Sequence, residues 1–294
     1  MQLQTNNIKK ELKLHGSLDF PVLVSYECLS AYEGGSFLWH WHPEIEITLV
    51  LKGEMHYLVN DMSYHLKTGD GLFCNRNALH SAEMICQQDC EYLSLTFHPK
   101  IIYGFEGSLL HAQFISPILE QESFCSLHIP ANQPRYHTLL SALSQINQIA
   151  SAPETPGAEL ALQIQISTIW LSLYQVFLSA PQTSSIKNTD IMRLKIILAF
   201  IQENYREKIT LEEIASSVHI CKSECCRFFK RHMKMTLFDY LLSYRVQKSL
   251  VFLENPNISI TEIAANCGFS DACYYAKVFK KYVGCSPKKF RTGK

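Results

Sequence analysis

The sequence predicts an α+β chain of two domains: an N-terminal antiparallel β-barrel with a helical hairpin, then an all-α domain carrying two helix-turn-helix motifs. Three observations predict it. One supersecondary unit is written twice near the C-terminus, the apolar period changes from two residues to about 3.6 along the chain, and the charge changes sign. Residues 1–185 hold 8 Lys and Arg against 17 Asp and Glu, whereas residues 186–294 hold 19 against 10. A net charge of zero therefore hides an acidic half and a basic half, and phosphate neutralisation makes the basic half the one suited to nucleic acid.

In chain order, the polar stretch 1–16 has no apolar core before a small-residue cleavage site, and no run of about 18 apolar residues follows. A cytoplasmic chain with no membrane partner is expected. Eleven cysteines, an odd number at irregular spacing, read as free thiols in a reducing compartment. Short apolar-rich runs then recur at 22–29, 37–41, 45–51, 54–59, 63–66, 71–74, 80–85 and 92–97. Gly34-Gly35, Lys52-Gly53, Asn60-Asp61 and Thr68-Gly69-Asp70 punctuate them. Such strands over residues 1–105 suggest a small barrel or jelly roll.

Inside that region Gly35 precedes His40-x-His42-x-x-x-Glu46 and Gly53, and Gly69-Asp70 precedes His80. The spacing resembles the two motifs of cupin barrels, which implies that three histidines and a glutamate converge on a metal inside the barrel. Asn75, Asn77 and Met84 depart from the second motif, standing at its usual proline, glycine and asparagine positions. Three roles fit the cluster: anchors for the hydroxyls of a small ligand, ligands of a divalent ion such as Zn, Fe, Mn or Ni, or structural groups near the rim. The expectation is the first, an effector pocket of His40, His42, Glu46, His80, Trp39 and Trp41, with no metal and no other cofactor. Tyr57, Tyr64 and Phe73 lie near in sequence and could stack on a sugar or aromatic ring, although aromatics at strand spacing more often pack in a core.

Helical period takes over at 135–150, with Leu139, Leu140, Leu143, Ile146 and Ile149 on one stripe, and at 158–178, with Leu162, Ile166, Ile169, Leu173, Val176 and Phe177. The Pro- and Gly-bearing stretch 151–157 turns them into a hairpin that could close the open edge of the barrel. The polar, turn-rich stretch 181–188 is expected to link the domains, where the charge reverses. Thr189 or Asp190 then caps a helix with Ile191, Leu194, Leu198 and Ile201 on its apolar face.

The repeat fills 209–291. Residues 209–220 align without a gap on 258–269, and each copy ends in an aromatic-basic cluster, Phe228-Phe229-Lys230-Arg231 and Val278-Phe279-Lys280-Lys281. Thr210 with Glu213, and Ser259 with Glu262, have capping-box spacing. Leu211, Ile214 and Ala215, or Ile260, Ile263 and Ala264, give each first helix one apolar face. Gly268 marks the turn in the second copy, and His219 must make the same bend in the first. Second helices bury Cys225, Phe228 and Phe229, or Tyr275, Phe279 and Tyr282, and leave a basic face of the kind that enters a major groove.

Ile260-x-Glu262-Ile263-Ala264, Gly268-Phe269, Phe279-Lys280-Lys281 and Pro287-x-x-Phe290-Arg291 make residues 189–291 resemble the DNA-binding domain of AraC-type transcription regulators. The resemblance implies two helix-turn-helix units joined by one long helix, here about 237–253. It also implies base-facing residues Ser223, Cys226 and Arg227 in the first unit and Ala272, Cys273 and Lys277 in the second. Lys222, Lys230, Arg231, Lys280 and Lys281 read as phosphate contacts. Lys234 replaces a usual turn glycine, and Cys225-Cys226 a usual leucine-polar pair. The helices of 106–180 resemble those through which such sensor domains dimerise, so a homodimer is expected.

The function expected is a sequence-specific, DNA-binding transcription regulator whose barrel senses a small-molecule effector, for which a sugar is compatible, and which contacts RNA polymerase. It is not expected to be an enzyme: no phosphate-binding glycine loop and no nucleophile elbow occurs. Two other readings stay open, a metal-dependent cupin enzyme fused to a DNA module, and a thiol switch at Cys86 and Cys90 or at Cys221, Cys225 and Cys226.

Overall fold

The structure, a computed structural model, describes the chain except residues 1, 7–8, 122, 180–187, 234, 254 and 293–294. Residues Lys10–Asn188 with Leu3–Thr5 form one compact unit, and Thr189–Lys294 the body of a second. The expected linker at 181–188 lies outside the described residues but for Asn188, which opens a helix.

In the first unit the strands are β1 (Val22–Cys28), β2 (Ser36–His40), β3 (Ile45–Lys52), β4 (Glu54–Val59), β5 (Met62–Lys67), β6 (Gly71–Cys74), β7 (His80–Met84) and β8 (Glu91–Phe97). They fall where alternation placed them. A further strand, β9 (Ser126–Ile129), comes from the region read as helical and pairs with β6. Four residues carry too little alternation to stand out between helices. The strands form two antiparallel sheets, ordered β1-β8-β3-β6-β9 and β2-β7-β4-β5.

Strand β3 shows why the sheets face each other. Ile45, Ile47 and Leu49 point to one side, Glu46, Thr48 and Val50 to the other, and both sides are covered. On the outer side Ile45, Ile47, Leu93, Leu95 and Phe97 pack against α3 (His137–Ala150) and α4 (Ala158–Ser179) through Leu139, Leu143, Ile146, Ile166, Ile169, Trp170 and Leu173. The hairpin therefore covers a sheet face and does not cap an edge, because the sheet's outward apolar row needs cover. On the inner side Phe37, Val50, Tyr57, Leu72 and Tyr92 form a second core.

Two departures from the cupin pattern find reasons. Asn77, at the usual glycine position, has φ +61°, a conformation asparagine tolerates better than most residues. Buried Asn75 donates through Nδ2 to the Ile118 and Phe124 carbonyls, at 2.8 and 3.1 Å, and so fixes the segment around α2 (Ser116–Glu120), which follows α1 (Lys100–Tyr103) in the chain.

The second unit holds α5 (Asn188–Asn204), α6 (Leu211–Ser217), α7 (Lys222–Met233), α8 (Leu237–Leu253), α9 (Ile260–Asn266), α10 (Ala272–Val283) and α11 (Pro287–Thr292). Both capping boxes form: the Thr210 and Ser259 hydroxyls accept from the Glu213 and Glu262 amides, and each glutamate accepts from its cap's own amide. Lys234 lies outside the described residues. The turns match as well, with His219 at φ +54° and Gly268 at φ +79°. A Cβ on Gly268 would meet the Tyr205 carbonyl at 2.5 Å and the Arg206 carbonyl at 2.8 Å. Gly268→Ala should therefore destabilise this unit by about 1–3 kcal/mol in urea unfolding, whereas His219→Ala, which keeps a Cβ in that conformation, should cost clearly less. Equal losses would show that the turn, not the carbonyl contacts, sets the requirement.

Candidate ligand site and nucleic-acid interface

The first unit has a cavity that opens to solvent. Its wall is built by strand alternation: Glu46 from β3, Tyr92, Ser94 and Thr96 from β8, and Ser25 and Glu27 from β1. Strand β2 contributes Phe37 and His40. Its register against β7 shifts between them, a bulge that turns both side chains to the same side. That bulge corrects the expectation for the tryptophans. Trp39 is buried and Trp41 half-buried, but neither lines the cavity. The rest of the wall comes from the N-terminal segment, through Leu3, Glu11, Lys13 and His15. No motif marks those four residues, and only folding places them here.

His42 and His80 lie behind the wall, both buried, and close the cluster expected from the sequence. One ring nitrogen from each of His40, His42 and His80 lies within 4.8 Å of the others. The Glu46 carboxylate oxygen Oε2 is 3.2 Å from His42 Nε2 and 3.7 Å from His80 Nε2, while Oε1 accepts from the Tyr57 hydroxyl at 3.0 Å and from Thr48 at 3.3 Å. Burial pushes His40 well below its ordinary pKa, with His80 and His42 adding to the shift, and burial lowers His80 as well. Burial opposes the charge on Glu46, yet its hydrogen bond to His42 and the surrounding imidazoles hold its carboxyl below the usual range. The state we assign is a Glu46 carboxylate beside neutral His40 and His80.

This donor set fits a divalent first-row transition ion. His40 Nδ1 lies 3.0 Å from the Leu38 carbonyl and His80 Nδ1 2.9 Å from that of Ala78. Each carbonyl selects the Nδ1–H tautomer and leaves Nε2 with a free lone pair, the usual way in which a ligating imidazole is oriented. Buried His80 Nε2 has no hydrogen-bond partner, an arrangement that costs free energy unless something binds it. His15 is held differently, with Nε2 3.2 Å from Glu11 and Nδ1 3.2 Å from Glu44. Burial opposes its charge, but the two carboxylates raise its pKa to about 9.

In the second unit, α7 and α10 bury Cys225, Phe228 and Phe229, and Tyr275, Val278 and Phe279. Val278 takes the place expected for Tyr282, whose ring is more than a third exposed and whose hydroxyl donates to the Asp239 carbonyl at 3.1 Å. On α7, Lys222, Ser223, Cys226, Arg227, Lys230 and Arg231 are all exposed. On α10, Cys273, Lys277, Lys280 and Lys281 are exposed, whereas Ala272 is half-buried and packs on the core of its own unit.

The helix starts explain Ala272. The repeats align at an offset of 49 through the turn but at 50 from Lys222 and Ala272 onward. Ala272 therefore corresponds to Lys222, and the matched exposed positions are Ser223 with Cys273 and Arg227 with Lys277. Exposed Tyr274, matched to Glu224, is a candidate the sequence reading passed over. Lys222 Nζ lies 3.0 Å from Glu212 and Lys281 Nζ 3.0 Å from Asp239. Exposed pairs of this kind are weak and yield readily to a phosphate.

All eleven cysteines are free. At the start of α7 the Cys221 thiol is held below its ordinary pKa by its hydrogen bonds to the Ser223 hydroxyl and the Glu224 amide, not by the neighbouring cations. Burial pushes Cys225 up to about 11 and Cys90 up to about 12.

Comparison with known proteins follows the same division. Residues 24–169 match the model of an AraC-like ligand binding domain, and residues 214–293 that of a helix-turn-helix domain. The chain is 32% identical over 286 residues to an uncharacterized HTH-type transcriptional regulator, YdeC, of Bacillus subtilis (strain 168), covering 96% of this chain and 95% of that one. It is 23% identical over 260 residues to the melibiose operon regulatory protein of Escherichia coli (strain K12), covering 86% and 82%. Among solved structures, ToxT from Vibrio cholerae strain SCE256 with bound unsaturated fatty acid aligns at 15% identity and a TM-score of 0.42, covering 92% of this chain and 95% of that one.

Proposed function

This chain belongs to the AraC-type transcription regulators, a helix-turn-helix DNA-binding region joined to a ligand-binding domain, and from that premise we propose that its barrel cavity senses a small hydroxylated effector, of which a sugar is the model. The cavity wall carries the reading. Glu46, His40, Ser94 and Thr96 offer hydrogen-bond acceptors and donors beside the rings of Tyr92 and Phe37, the mixture that orients a polyol against an apolar floor. The melibiose operon regulatory protein among its relatives carries a sugar in its name. We read the barrel as a binding domain and not a catalyst, in a cytoplasmic protein whose output requires RNA polymerase.

On DNA, Arg227 and Lys277 are assigned to base edges, where a guanidinium or ammonium suits the guanine O6/N7 pair. Ser223, Cys226 and Cys273 flank them, and Lys222, Lys230, Arg231, Lys280 and Lys281 are assigned to phosphates. Selection of bound sites from random duplexes by the full chain, with and without a panel of mono- and disaccharides, tests the whole reading. An enriched sequence whose recovery changes with one sugar supports it. No enriched sequence would overturn the DNA assignment, and enrichment indifferent to every sugar would overturn the effector class.

The assembly we propose is a homodimer through α4. This helix of 22 residues is apolar enough, by length and composition, to cross a membrane. Only one side of it lies on the sheet. On the other, Leu160, Ile164, Leu171 and Leu178 are 54–65% exposed, three of them seven residues apart. A heptad row of that kind is what a second copy of the helix would cover. Leu171→Glu should shift the sedimentation profile from dimer to monomer while the thermal transition stays in place; an unchanged dimer would remove α4 from the interface.

A further inference from the structure

We infer that α7 and α10 read half-sites of different chemistry, and that the ring of Tyr274 reads a thymine 5-methyl group in the half-site of α10. The inference rests on the DNA assignment made above and adds a residue that the sequence motifs do not mark. At the matched offset of 50 the basic ends of the two helices agree, Lys230 with Lys280 and Arg231 with Lys281. The N-terminal halves, the part of such a helix that meets base edges, do not agree. On α7 that half exposes Lys222, Ser223, Glu224 and Arg227 beside Cys226. On α10 it exposes Cys273, Tyr274 and one cation, Lys277, while Ala272 and Ala276 are half-buried. The first face is polar throughout, and the second is apolar around a single charge.

Tyr274 is a large aromatic left 44% exposed at the start of its helix. Its place is fixed locally. The Asp271 carboxylate accepts from its amide at 2.7 Å, and its ring stands edge-on to buried Phe269, with 6.2 Å between centroids. Phe269 is itself held 5.1 Å from the Tyr275 ring, with the Arg245 guanidinium 5.8 Å over its face. An apolar surface presented to the major groove has one apolar partner there, the thymine methyl group. Tyr274 precedes Lys277 by about 4.5 Å along the helix axis. At about 3.4 Å per base-pair step, the thymine falls within about two steps of the guanine assigned to Lys277. Glu224, at the same place on α7, cannot make this contact, because a carboxylate accepts from the cytosine N4 amino group instead.

The test is binding of the full-length chain to the duplex enriched in the site selection, with each thymine replaced in turn by deoxyuridine, which removes only the methyl group. A drop of about fourfold, the worth of one buried methyl group, is expected at a thymine close to the base pair where Lys277→Ala relaxes preference. Tyr274→Ser should bind the thymine and uracil duplexes alike, which ties the methyl group to that ring. Its circular-dichroism melt should stay close to the parent's, because the side chain is exposed. Equal affinity for every uracil duplex, or a half-site without thymine, overturns the inference. A uracil effect that survives Tyr274→Ser overturns it too, since the methyl group then meets another residue. A selection that enriches no sequence is a different outcome: it overturns the DNA assignment itself, and this inference with it.

Discussion

Phe279→Ala should destabilise the second unit by about 3–5 kcal/mol, the largest loss expected from a single change there. Phe279 is fully buried, edge-on to Tyr275 at 5.6 Å and to Phe290 at 5.7 Å, in the cluster that joins α8, α9, α10 and α11 through Val246, Leu253, Ile263 and Phe269. No neighbouring side chain can collapse into the space of a missing ring without breaking those contacts. The chain offers an internal control. Its three tryptophans, Trp39, Trp41 and Trp170, are all in the first unit. Tryptophan fluorescence in urea should therefore keep the parent's midpoint, while the helical circular-dichroism signal acquires an early transition. Fluorescence and circular dichroism shifting together would instead mean that the two units unfold as one.

The second large effect is on DNA. Arg227→Ala and Lys277→Ala should each cost about 1–3 kcal/mol on the preferred site, and each should relax the preference at one base pair. Lys280→Ala removes a charge at the far end of the same exposed face. It should weaken all sequences alike and lower the magnitude of the salt slope by about one. The two classes are separated by repeating the titrations on a scrambled duplex at several salt concentrations. An equal loss on preferred and scrambled DNA for Arg227→Ala would move that residue from the bases to the backbone. The matched offset of 50 makes a further demand: Cys273 should behave like Ser223, and Ala272, packed on the core, should show no base preference of its own.

The second unit was legible because its instructions are local. Capping boxes at Thr210 and Ser259, a turn at Gly268 and an apolar row at helical spacing each act within a few residues, so their spacing alone fixed α6, α9 and the start of the turn. His219 illustrates the limit: the repeat, and not the residue, announced its left-handed conformation. The exposed face of α7 followed from the same periodicity, but Ala272 was misplaced because one residue is added between turn and helix in the second copy, a change that an alignment anchored at the first helix does not see.

In the barrel the sequence by itself determined the strands and the identity of the His40, His42, Glu46 and His80 cluster, since alternation and motif spacing are properties of short stretches. Tertiary structure decided what faces that cluster. A bulge in β2 removed Trp39 from the cavity and admitted Phe37. The N-terminal segment brought Glu11 and His15, distant in sequence and free of any motif, against His40 and Glu44. Strand β9 and the seat of the α3–α4 hairpin were likewise settled by the apolar outer row of β3 and β8. The physical reason is common to all of these. A side chain's direction is set by its own strand or helix, whereas its partner is set by which buried surfaces must cover one another, and that is known only when the chain has folded.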